Sequence, residues 1–310
     1  MERVAFAGLG RISRHHLEAL EPIAGIDVVG GCDPAPGRRL VFRGAGRPVF
    51  ASPDELAALA PTTVVVATPT AVHHETCVRI LSWPERPARL LVEKPMASSL
   101  EQVEELSARS GDLTEISVLY HAAYAPEVLW ALARKDEWIA EHGRITGYES
   151  SFADPYRDLD PDIREKSHVS SWLDSGINAL SVAQRFVSLI GVERLVRAGS
   201  GPSVYQAELG FRSGPDTGRL RLRTSWDVPV AAKSSELVLE SGAEILLDHQ
   251  AVTGVVRHRG AVLDSFEYRG DVARLTLHYQ GLFRALFLDG ERVSAAESLF
   301  LHRLLFAAPS

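Results

Sequence analysis

The sequence predicts an α/β protein in which a doubly wound parallel sheet is followed by an α+β domain with an open-faced, mostly antiparallel sheet. Two observations predict the parallel sheet. Short apolar runs alternate with helical patterns as far as residue 119, and the first run leads through a glycine turn into a helix. The third observation is a change of pattern after about Gly143, where strand-like segments alternate between apolar and polar residues.

Composition excludes several classes of function. The 310 residues are 45% hydrophobic and 24% charged, which is ordinary for a globular protein with room for two domains. The formal net charge of -7 predicts no nucleic-acid partner, and no apolar run approaches the roughly 20 residues of a membrane span. Cys32 and Cys77 lie in apolar surroundings without a metal-ligand spacing, so we expect two buried thiols and no metal. We therefore expect a cytoplasmic protein that acts on a small molecule.

The first apolar strand ends in a glycine turn. Val4 to Ala7 leads into Gly8-Leu9-Gly10-Arg11-Ile12-Ser13, and a helical spacing follows. Strand, glycine turn and helix form the context of a dinucleotide fingerprint. Gly8 permits the tight turn, and Gly10 lets the backbone approach a pyrophosphate at the helix N-terminus. The third position of the fingerprint is Ser13, which is small but is not glycine.

The second strand, from Ile26 to Cys32, ends in Asp33. The spacing from the first glycine is 33 − 8 = 25 residues, near the roughly 20 expected for the residue that binds the adenosine ribose. A carboxylate there accepts hydrogen bonds from ribose hydroxyls and repels a 2′-phosphate, so NAD is favoured over NADP. Arg38 and Arg39 lie close by and weaken that preference. The alternative is that Asp33 only forms a turn before Pro34.

Two further buried strands end in polar loops. Thr63 to Ala67 is followed by Thr68-Pro69-Thr70, with a helix that begins near His73, and Arg89 to Val92 is followed by Glu93-Lys94-Pro95. Ligands bind at the carboxyl edge of such sheets, and Pro95 cannot continue the strand. Lys94 is therefore expected at this edge. The alternatives are a strand-end lysine that merely reaches solvent and a His73-His74 pair on a helix surface.

Cap residues mark the starts of several helices, and the remaining strand of the first half is Ile116 to Leu119. Ser52 to Glu55 forms a capping box, Ser99 to Gln102 caps another helix, and Ser294 with Glu297 caps the last one. The last helix but one is expected from about Val272 to Leu288.

The second half contains a polar loop and a polar helix face. Residues 154–170 are irregular, and a loop of this length is either functional or a solvated surface loop. Trp172 to Asn178 leads into a helix that Asp174 or Ser175 can cap. Asp174 and Asn178 are four residues apart, so they share one helix face. Two polar side chains beside an apolar stretch indicate a ligand.

From Leu195 to Tyr268 the chain is expected to form successive antiparallel strands. Apolar residues such as Leu220 and Leu222 alternate with Arg219, Arg221 and Arg223. This alternation predicts a sheet with one covered face and one polar face. The arginine row is expected to be solvated or to lie in an interface between subunits.

Four motifs resemble a known family. Gly8-Leu9-Gly10-Arg11-Ile12-Ser13, Thr68-Pro69-Thr70 with His73, Glu93-Lys94-Pro95, and Tyr124-Ala125-Pro126 occur in that order. The chain resembles, over essentially its whole length, the glucose-fructose oxidoreductase / inositol dehydrogenase (Gfo/Idh/MocA) family. The resemblance implies an N-terminal Rossmann domain that binds NAD(P) and a C-terminal domain that often forms the dimer face. It also implies that Lys94 sits between nicotinamide and substrate, commonly with a cis bond to Pro95.

One motif departs from the usual pattern of that family. Asp174-Ser175-Gly176-Ile177-Asn178 has Asn178 where the family usually has His. This segment resembles the branch of bacterial arabinose/galactose 1-dehydrogenases, in which an Asp and an Asn hold the sugar and the Lys is the base. The Ser-Arg pair of that branch is Ala122-Ala123 here, and its Trp-His-Pro segment is replaced by the loop from Asp154.

The expected site draws on both halves of the chain, with a first domain over residues 1–122, a second over 123–310, and a last helix that is free to pack back on the first. The expected catalytic residues are Lys94, Asp174 and Asn178. The expected cofactor-binding residues are Gly8, Gly10, Arg11, Ile12, Asp33, Arg38, Thr68, Pro69, His73, Glu93 and Lys94. The expected substrate-binding residues are His121, Tyr124, Trp172, Asp174 and Asn178.

We expect oxidation of a sugar hemiacetal to a lactone, with NAD as the cofactor and NADP as the alternative. Lys94 would accept the C1 hydroxyl proton, and partial burial beside a positive nicotinamide would favour the neutral amine. Two alternatives stay open: a biosynthetic reductase of a keto-sugar or imine, and a non-catalytic regulatory protein that binds the cofactor. Retention of Lys94 argues against the second of these, and loss of the usual His argues for it. The extent of the open sheet face favours a homodimer or homotetramer.

Overall fold

The chain forms two compact units. The computed structural model describes residues 1–43, 46–111, 113–156, 170–198 and 203–307. The first domain consists of Met1–Leu119 and Leu282–Arg303, and the second consists of Tyr120–Gly281 and Leu304–Ser310. Within the ranges described, no helix is both long enough and apolar enough to cross a membrane.

The first domain contains a six-stranded parallel sheet in the order β3-β2-β1-β4-β5-β6, which confirms the predicted doubly wound sheet. Strands β1 and β4 to β6 are apolar because helices cover both of their faces, and the three valines of β4 are fully buried. The strand order reverses beside β1, and this is the topological switch point where such sheets bind ligands. The strands are β1 Glu2–Ala7, β2 Ile26–Cys32, β3 Val49–Phe50, β4 Thr63–Val66, β5 Arg89–Glu93 and β6 Glu115–Leu119.

The predicted helix caps of the first domain are present. The Ser52–Glu55 capping box starts a 3₁₀ helix, Pro53–Leu59, rather than an α-helix. Ser99 Oγ accepts a hydrogen bond from the Gln102 amide, and Ser294 Oγ accepts one from the Glu297 amide. Each cap satisfies an amide that the helix itself leaves without an acceptor. The helices are α1 Arg11–Leu20, α2 Pro36–Arg43, α3 His73–Leu81, α4 Leu100–Arg109 and, near the end of the chain, α8 Ala295–Leu305.

The second domain contains an eight-stranded sheet in the order β14-β13-β12-β11-β7-β10-β9-β8. Every neighbouring pair is antiparallel except β7 with β10, so the mostly antiparallel sheet is confirmed. Leu220 and Leu222 are buried, whereas Arg219 and Arg221 of the same strand are exposed. The strands are β7 Ile145–Ala153, β8 Ser188–Arg197, β9 Val204–Ser213, β10 Asp216–Ser225, β11 Ala232–Leu239, β12 Glu244–Asp248, β13 Thr253–His258 and β14 Ala261–Glu267.

Helices of the second domain contact the sheet on its apolar side. Two of them are α5 Pro126–His142, against β12 and β13, and α6 Ile177–Phe186, against β7 and β8. A third helix, α7 Arg274–Phe287, begins in this domain and ends in the first. The side chains of Trp226, Tyr148 and Phe152 form part of the core that these elements enclose.

A π-helical turn, Trp172–Gly176, leads into α6. The predicted cap by Asp174 or Ser175 is wrong, because helical structure already begins at Ser171 and both residues lie inside it. Ser170 Oγ instead accepts a hydrogen bond from the Leu173 amide at 3.1 Å. Single π-helical turns are frequent at functional sites. Of the predicted polar loop at 154–170, residues 157–169 lie outside the described residues.

Candidate functional site

The glycine turn leaves the first helix open at its N-terminus. Gly8 has φ +98°, and a Cβ at this position would lie 2.5 Å from the Ala67 carbonyl oxygen, so only glycine fits. Gly10 is the N-cap of α1, where no side chain caps the helix and no atom lies within 4 Å of a Cβ added at Gly10. The first amides of α1 are therefore available to an anion. Arg11 is exposed and Ile12 is half-buried in this first turn.

Asp33 joins the end of β2 to the glycine turn. Its Oδ2 accepts a hydrogen bond from the Leu9 amide at 3.0 Å, and its Oδ1 accepts one from the Ala35 amide at 2.8 Å. Asp33 thus holds the turn that follows β2. The Arg38 guanidinium lies 3.4 Å from Oδ2 and is half exposed. A carboxylate has about four acceptor positions, so ribose binding by Asp33 stays a prediction.

The loop after β4 presents a hydroxyl without a partner. The Thr68 hydroxyl is buried and has no hydrogen-bond partner among the described residues, and Pro69 beside it is exposed. A buried polar group without a partner costs free energy. An uncapped helix N-terminus at the switch point and this hydroxyl at the end of β4 both fit a dinucleotide.

Lys94 stands at the carboxyl end of β5, as predicted, and its bond to Pro95 is cis. The preceding Glu93 is buried. Its Oε1 lies 2.8 Å from His16 Nε2, and its Oε2 accepts a hydrogen bond from the Lys94 amide at 3.2 Å. Glu93 therefore fixes the start of this loop to helix α1. The Lys94 side chain is half-buried.

Two buried histidines hold the next peptide groups of the loop. His73 Nδ1 lies 3.0 Å from the Pro95 carbonyl oxygen, and its Nε2 lies 2.8 Å from the Thr68 carbonyl oxygen. His302 Nε2 accepts a hydrogen bond from the Met96 amide at 2.9 Å, and its Nδ1–H donates to the Ser298 carbonyl at 2.7 Å. The surface-helix alternative for His73 is wrong, because the ring fills the space between two loops.

Burial keeps both of these rings neutral. It lowers the pKa of His73, against the opposing effect of the two carbonyl contacts, and it lowers the pKa of His302 to about 4. A neutral His302 is the form that can accept from the Met96 amide, since a protonated ring has no free lone pair. The position of the Lys94 loop thus depends on the protonation state of His302.

In the second domain, Asp174 and Asn178 share one helix face, as predicted. The Asn178 Nδ2 donates to the Asp174 carbonyl oxygen at 3.5 Å, and both side chains are buried. The Asn178 Oδ1 is buried and has no hydrogen-bond partner among the described residues. An amide oxygen in this state is a ready acceptor for a ligand hydroxyl.

A buried ion pair lies beside these residues. Lys233 Nζ donates to Asp154 Oδ1 at 2.6 Å, and Ser175 Oγ donates to Asp154 Oδ2 at 3.1 Å. Burial lowers the pKa of Lys233, and the charges of Asp154 and Asp174 oppose that effect. Sequence reasoning missed Lys233 because its partner is 79 residues away, and no local spacing marks such a pair.

The other expected substrate residues are buried. His121 Nδ1 lies 3.3 Å from His278 Nδ1, and the Arg185 guanidinium lies 4.7 Å from the centre of the Tyr124 ring. The Trp172 indole N–H donates to the Leu305 carbonyl at 2.7 Å. The only polar atom of the Trp172 side chain is therefore engaged in a hydrogen bond within the protein.

The cysteines have a structural role. Cys32 and Cys77 are buried and unbridged, and burial raises the pKa of each thiol to about 12. Within the residues described, no cluster of His, Cys, Asp and Glu could hold a metal ion.

Comparisons with known proteins agree with this geometry. Residues 2–116 match the family model described as "Oxidoreductase family, NAD-binding Rossmann fold" (GFO_IDH_MocA). Through this domain, the chain matches the Gfo/Idh/MocA family. It is an NAD-dependent oxidoreductase, in agreement with the open helix N-terminus at Gly10. No curated protein sequence matches the chain significantly.

Similar solved structures share the fold of the whole chain. GenD2 from gentamicin A biosynthesis, in complex with NAD, has a TM-score of 0.79 at 20% identity, over 99% of this chain and 93% of that one. A myo-inositol dehydrogenase from Corynebacterium glutamicum has a TM-score of 0.77 at 19% identity, over 99% and 95%. UDP-N-acetylglucosamine 3-dehydrogenase GnnA from Acidithiobacillus ferrooxidans has 0.74 at 17%, over 99% and 95%.

The first prediction concerns cofactor choice. Asp33→Ala is expected to weaken NAD binding about tenfold or more, because hydrogen bonds between ribose hydroxyls and a carboxylate are lost. NADP binding should change far less or improve. Calorimetric titration with both cofactors measures this, with Asp27→Ala on the preceding strand β2 as the control. Tight NADP binding by the unaltered protein would overturn the prediction.

The second prediction concerns acid stability. The pKa of His302 is lowered from 6.5 to about 4 on folding, so only the unfolded chain takes up its proton as pH falls below 6.5. The stability due to neutral His302 is complete above pH 6.5 and is lost as the pH falls towards 4. Between pH 7 and pH 5 this histidine alone should lower the free energy of unfolding by about 2 kcal/mol.

Urea unfolding at the two pH values tests this, with His302→Gln as the variant and His258→Gln on β13 as the control. The His302 variant should lose that share of the pH dependence, and the control should keep it. Equal pH dependence in all three proteins would contradict the role given to His302.

Proposed function

We propose that this oxidoreductase transfers a hydride between NAD and a polyhydroxylated substrate of the sugar class, with oxidation of an aldose at C1 to a lactone as the favoured reaction. The observation that carries the proposal is the buried Oδ1 of Asn178, which has no partner among the described residues and lies one helical turn from Asp174. Buried oxygens that accept hydrogen bonds suit a substrate with several hydroxyl groups.

The proposed reaction needs one base to accept the hydroxyl proton. The C1 hydroxyl gives its proton to Lys94 Nζ, the C1–H bond breaks with its electron pair, and the C1–O bond becomes a carbonyl. NAD, when bound, supplies the acceptor for that hydride. Gly8, Gly10, Asp33 and Thr68 are the residues proposed to hold it. Lys94 then returns the proton to solvent.

Asp174 and Asn178 are proposed to orient the sugar. A carboxylate and an amide oxygen four residues apart accept hydrogen bonds from neighbouring hydroxyls, and the amide NH₂ is already directed at the Asp174 carbonyl. Correct orientation of the substrate carbon supplies part of the rate. Asn178 cannot exchange a proton near neutral pH, so the proposed base is Lys94 alone.

The similar structures support a substrate of this class. Two of them are named for dehydrogenation of a ring alcohol, in myo-inositol and in UDP-N-acetylglucosamine. Incubation of the protein with NAD and a panel of aldoses, with NADH absorbance as the readout, tests the proposal directly. If no aldose yields NADH, but a keto-substrate is consumed in the presence of NADH, the result would favour a reductase instead.

The third prediction concerns Lys94. Lys94→Met should lower turnover by about 10²–10⁴-fold, because a general base contributes that much. NAD should still bind, since the glycine turn and Asp33 are unaltered. Single-turnover NADH formation and calorimetric NAD titration measure the two effects, and Lys135→Met of helix α5 is the matched control. Turnover retained by Lys94→Met would remove the proposed mechanism.

The fourth prediction concerns Asn178. Asn178→Ala should raise KM and lower kcat more modestly than Lys94→Met does, because an orienting hydrogen bond is lost and the base remains. Asn178→His restores the residue that is usual in the family. It should not improve sugar oxidation, because the proposed role of position 178 needs an amide, which both donates and accepts. Better activity of Asn178→His on the true substrate would place the chain in a different branch of the family.

A further inference from the structure

Arg274, at the start of α7, has an unusual environment. Its side chain is half-buried, and burial is the main reason that the pKa of its guanidinium is lowered. Among the residues that the structure describes, none accepts a hydrogen bond from it or forms an ion pair with it. A guanidinium has five N–H donors in a rigid planar fork. A half-buried one without an acceptor is suited to a ligand.

The nearest carboxylates are already engaged. Asp154 and Glu127 both act on the charge of Arg274. The oxygens of Asp154 accept from Lys233 and Ser175, and Oε1 of Glu127 lies 2.7 Å from His249 Nδ1. These contacts direct both carboxylates towards groups other than Arg274. Arg274 thus has compensating charge at a distance but no direct acceptor.

Two buried polar atoms of the second domain also lack hydrogen-bond partners among the described residues. His278 lies four residues along α7, on the same helix face as Arg274, and its Nε2 is buried without a hydrogen-bond partner in the described ranges. The Asn178 Oδ1 is in the same state. Lys233 connects the two positions, since the charges of both Arg274 and Asp174 act on it. The charges of Arg274 and Asp174 thus both act on one buried ion pair of the second domain, Lys233 with Asp154.

We propose that Arg274 binds a carboxylate group of the substrate, which makes the substrate an acidic sugar of the uronic acid class. This inference rests on the proposed function. The carboxylate would lie against the planar fork, and sugar hydroxyls would meet Asn178 and His278. A monoanion is favoured over a phosphate dianion because Asp154, Asp174 and Glu127 already place three carboxylates around two cations.

The experiment compares charged and neutral forms of one sugar. The probes are D-glucuronate, D-galacturonate, their uncharged amides, D-glucose and D-glucose 6-phosphate. Binding is measured by calorimetry in the presence of NAD, and turnover by NADH absorbance. The variants are Arg274→Met, Arg274→Lys, which keeps the charge but loses the fork, and Arg284→Met, an exposed arginine of the same helix that serves as the control.

The unaltered protein should bind a hexuronate about tenfold more tightly than its amide, because an ionic hydrogen bond is lost in the amide. Arg274→Met should remove that preference and leave the affinity for the amide within about twofold, and Arg274→Lys should retain part of it. Arg284→Met should change nothing. Equal loss for acid and amide in Arg274→Met would show a structural role and overturn the proposal, as would a preference for glucose 6-phosphate.

The two proposals fail in different ways. Oxidation of neutral hexoses that is indifferent to Arg274→Met would leave the proposed function standing and overturn the carboxylate site. Binding of hexuronates that depends on Arg274, without NADH formation from any probe, would support the site and overturn C1 oxidation. Absence of binding for every hexuronate would overturn the carboxylate site.

Discussion

The geometry of the candidate site depends on how the loop after β5 satisfies its buried peptide groups. A parallel strand that ends at the sheet edge leaves amides and carbonyls without ladder partners, and burial makes each such group costly. Here the partners come from elsewhere in the domain: Glu93 for the Lys94 amide, His73 for the Pro95 carbonyl, and His302 for the Met96 amide. The position of Lys94 is therefore set by side chains from α3 and α8 and by the strand end itself. Neutral imidazole suits this task because it can accept as well as donate.

Buried charge has a different role in the second domain. The Lys233–Asp154 pair stabilises little by itself, since the desolvation of two buried ions offsets most of their attraction. Its consequence is positional. Asp154 connects the end of β7 to Ser175 in the π-helical turn and to Lys233 at the start of β11. Asp174 is adjacent to Ser175, and Asn178 lies one helical turn later. Both residues therefore project from a helical segment that the contacts of Asp154 hold in place.

The sequence was sufficient for the parts of the fold that depend on local pattern. Alternation of apolar runs predicts five of the six parallel strands, all except the two-residue β3, and the serine caps at 52, 99 and 294 mark helix starts correctly. Failures occur where a partner distant in the chain decides the outcome. The burial of His73 depends on a carbonyl 22 residues away in the chain, and the burial of Lys233 depends on a carboxylate 79 residues away. The π-helical turn that displaces the predicted cap at Asp174 likewise has no signature in the spacing of residues 172–178.

On the proposed function, Asn178 stands where the resemblance predicts a His, and this would separate two tasks that a single imidazole could perform. An imidazole can orient a substrate and also exchange its proton, whereas an amide can only orient it. With Asn178 the proposed mechanism moves the proton through another group, and burial together with nearby positive charge holds the pKa of His278, on α7, well below 6.5. That ring is a weak base. On the proposed mechanism, proton transfer is therefore concentrated on Lys94, and the polar cluster of the second domain is left to decide which substrate is held. Changes at Arg274 or Asn178 would then alter substrate choice, and changes in the loop after β5 would alter the chemical step.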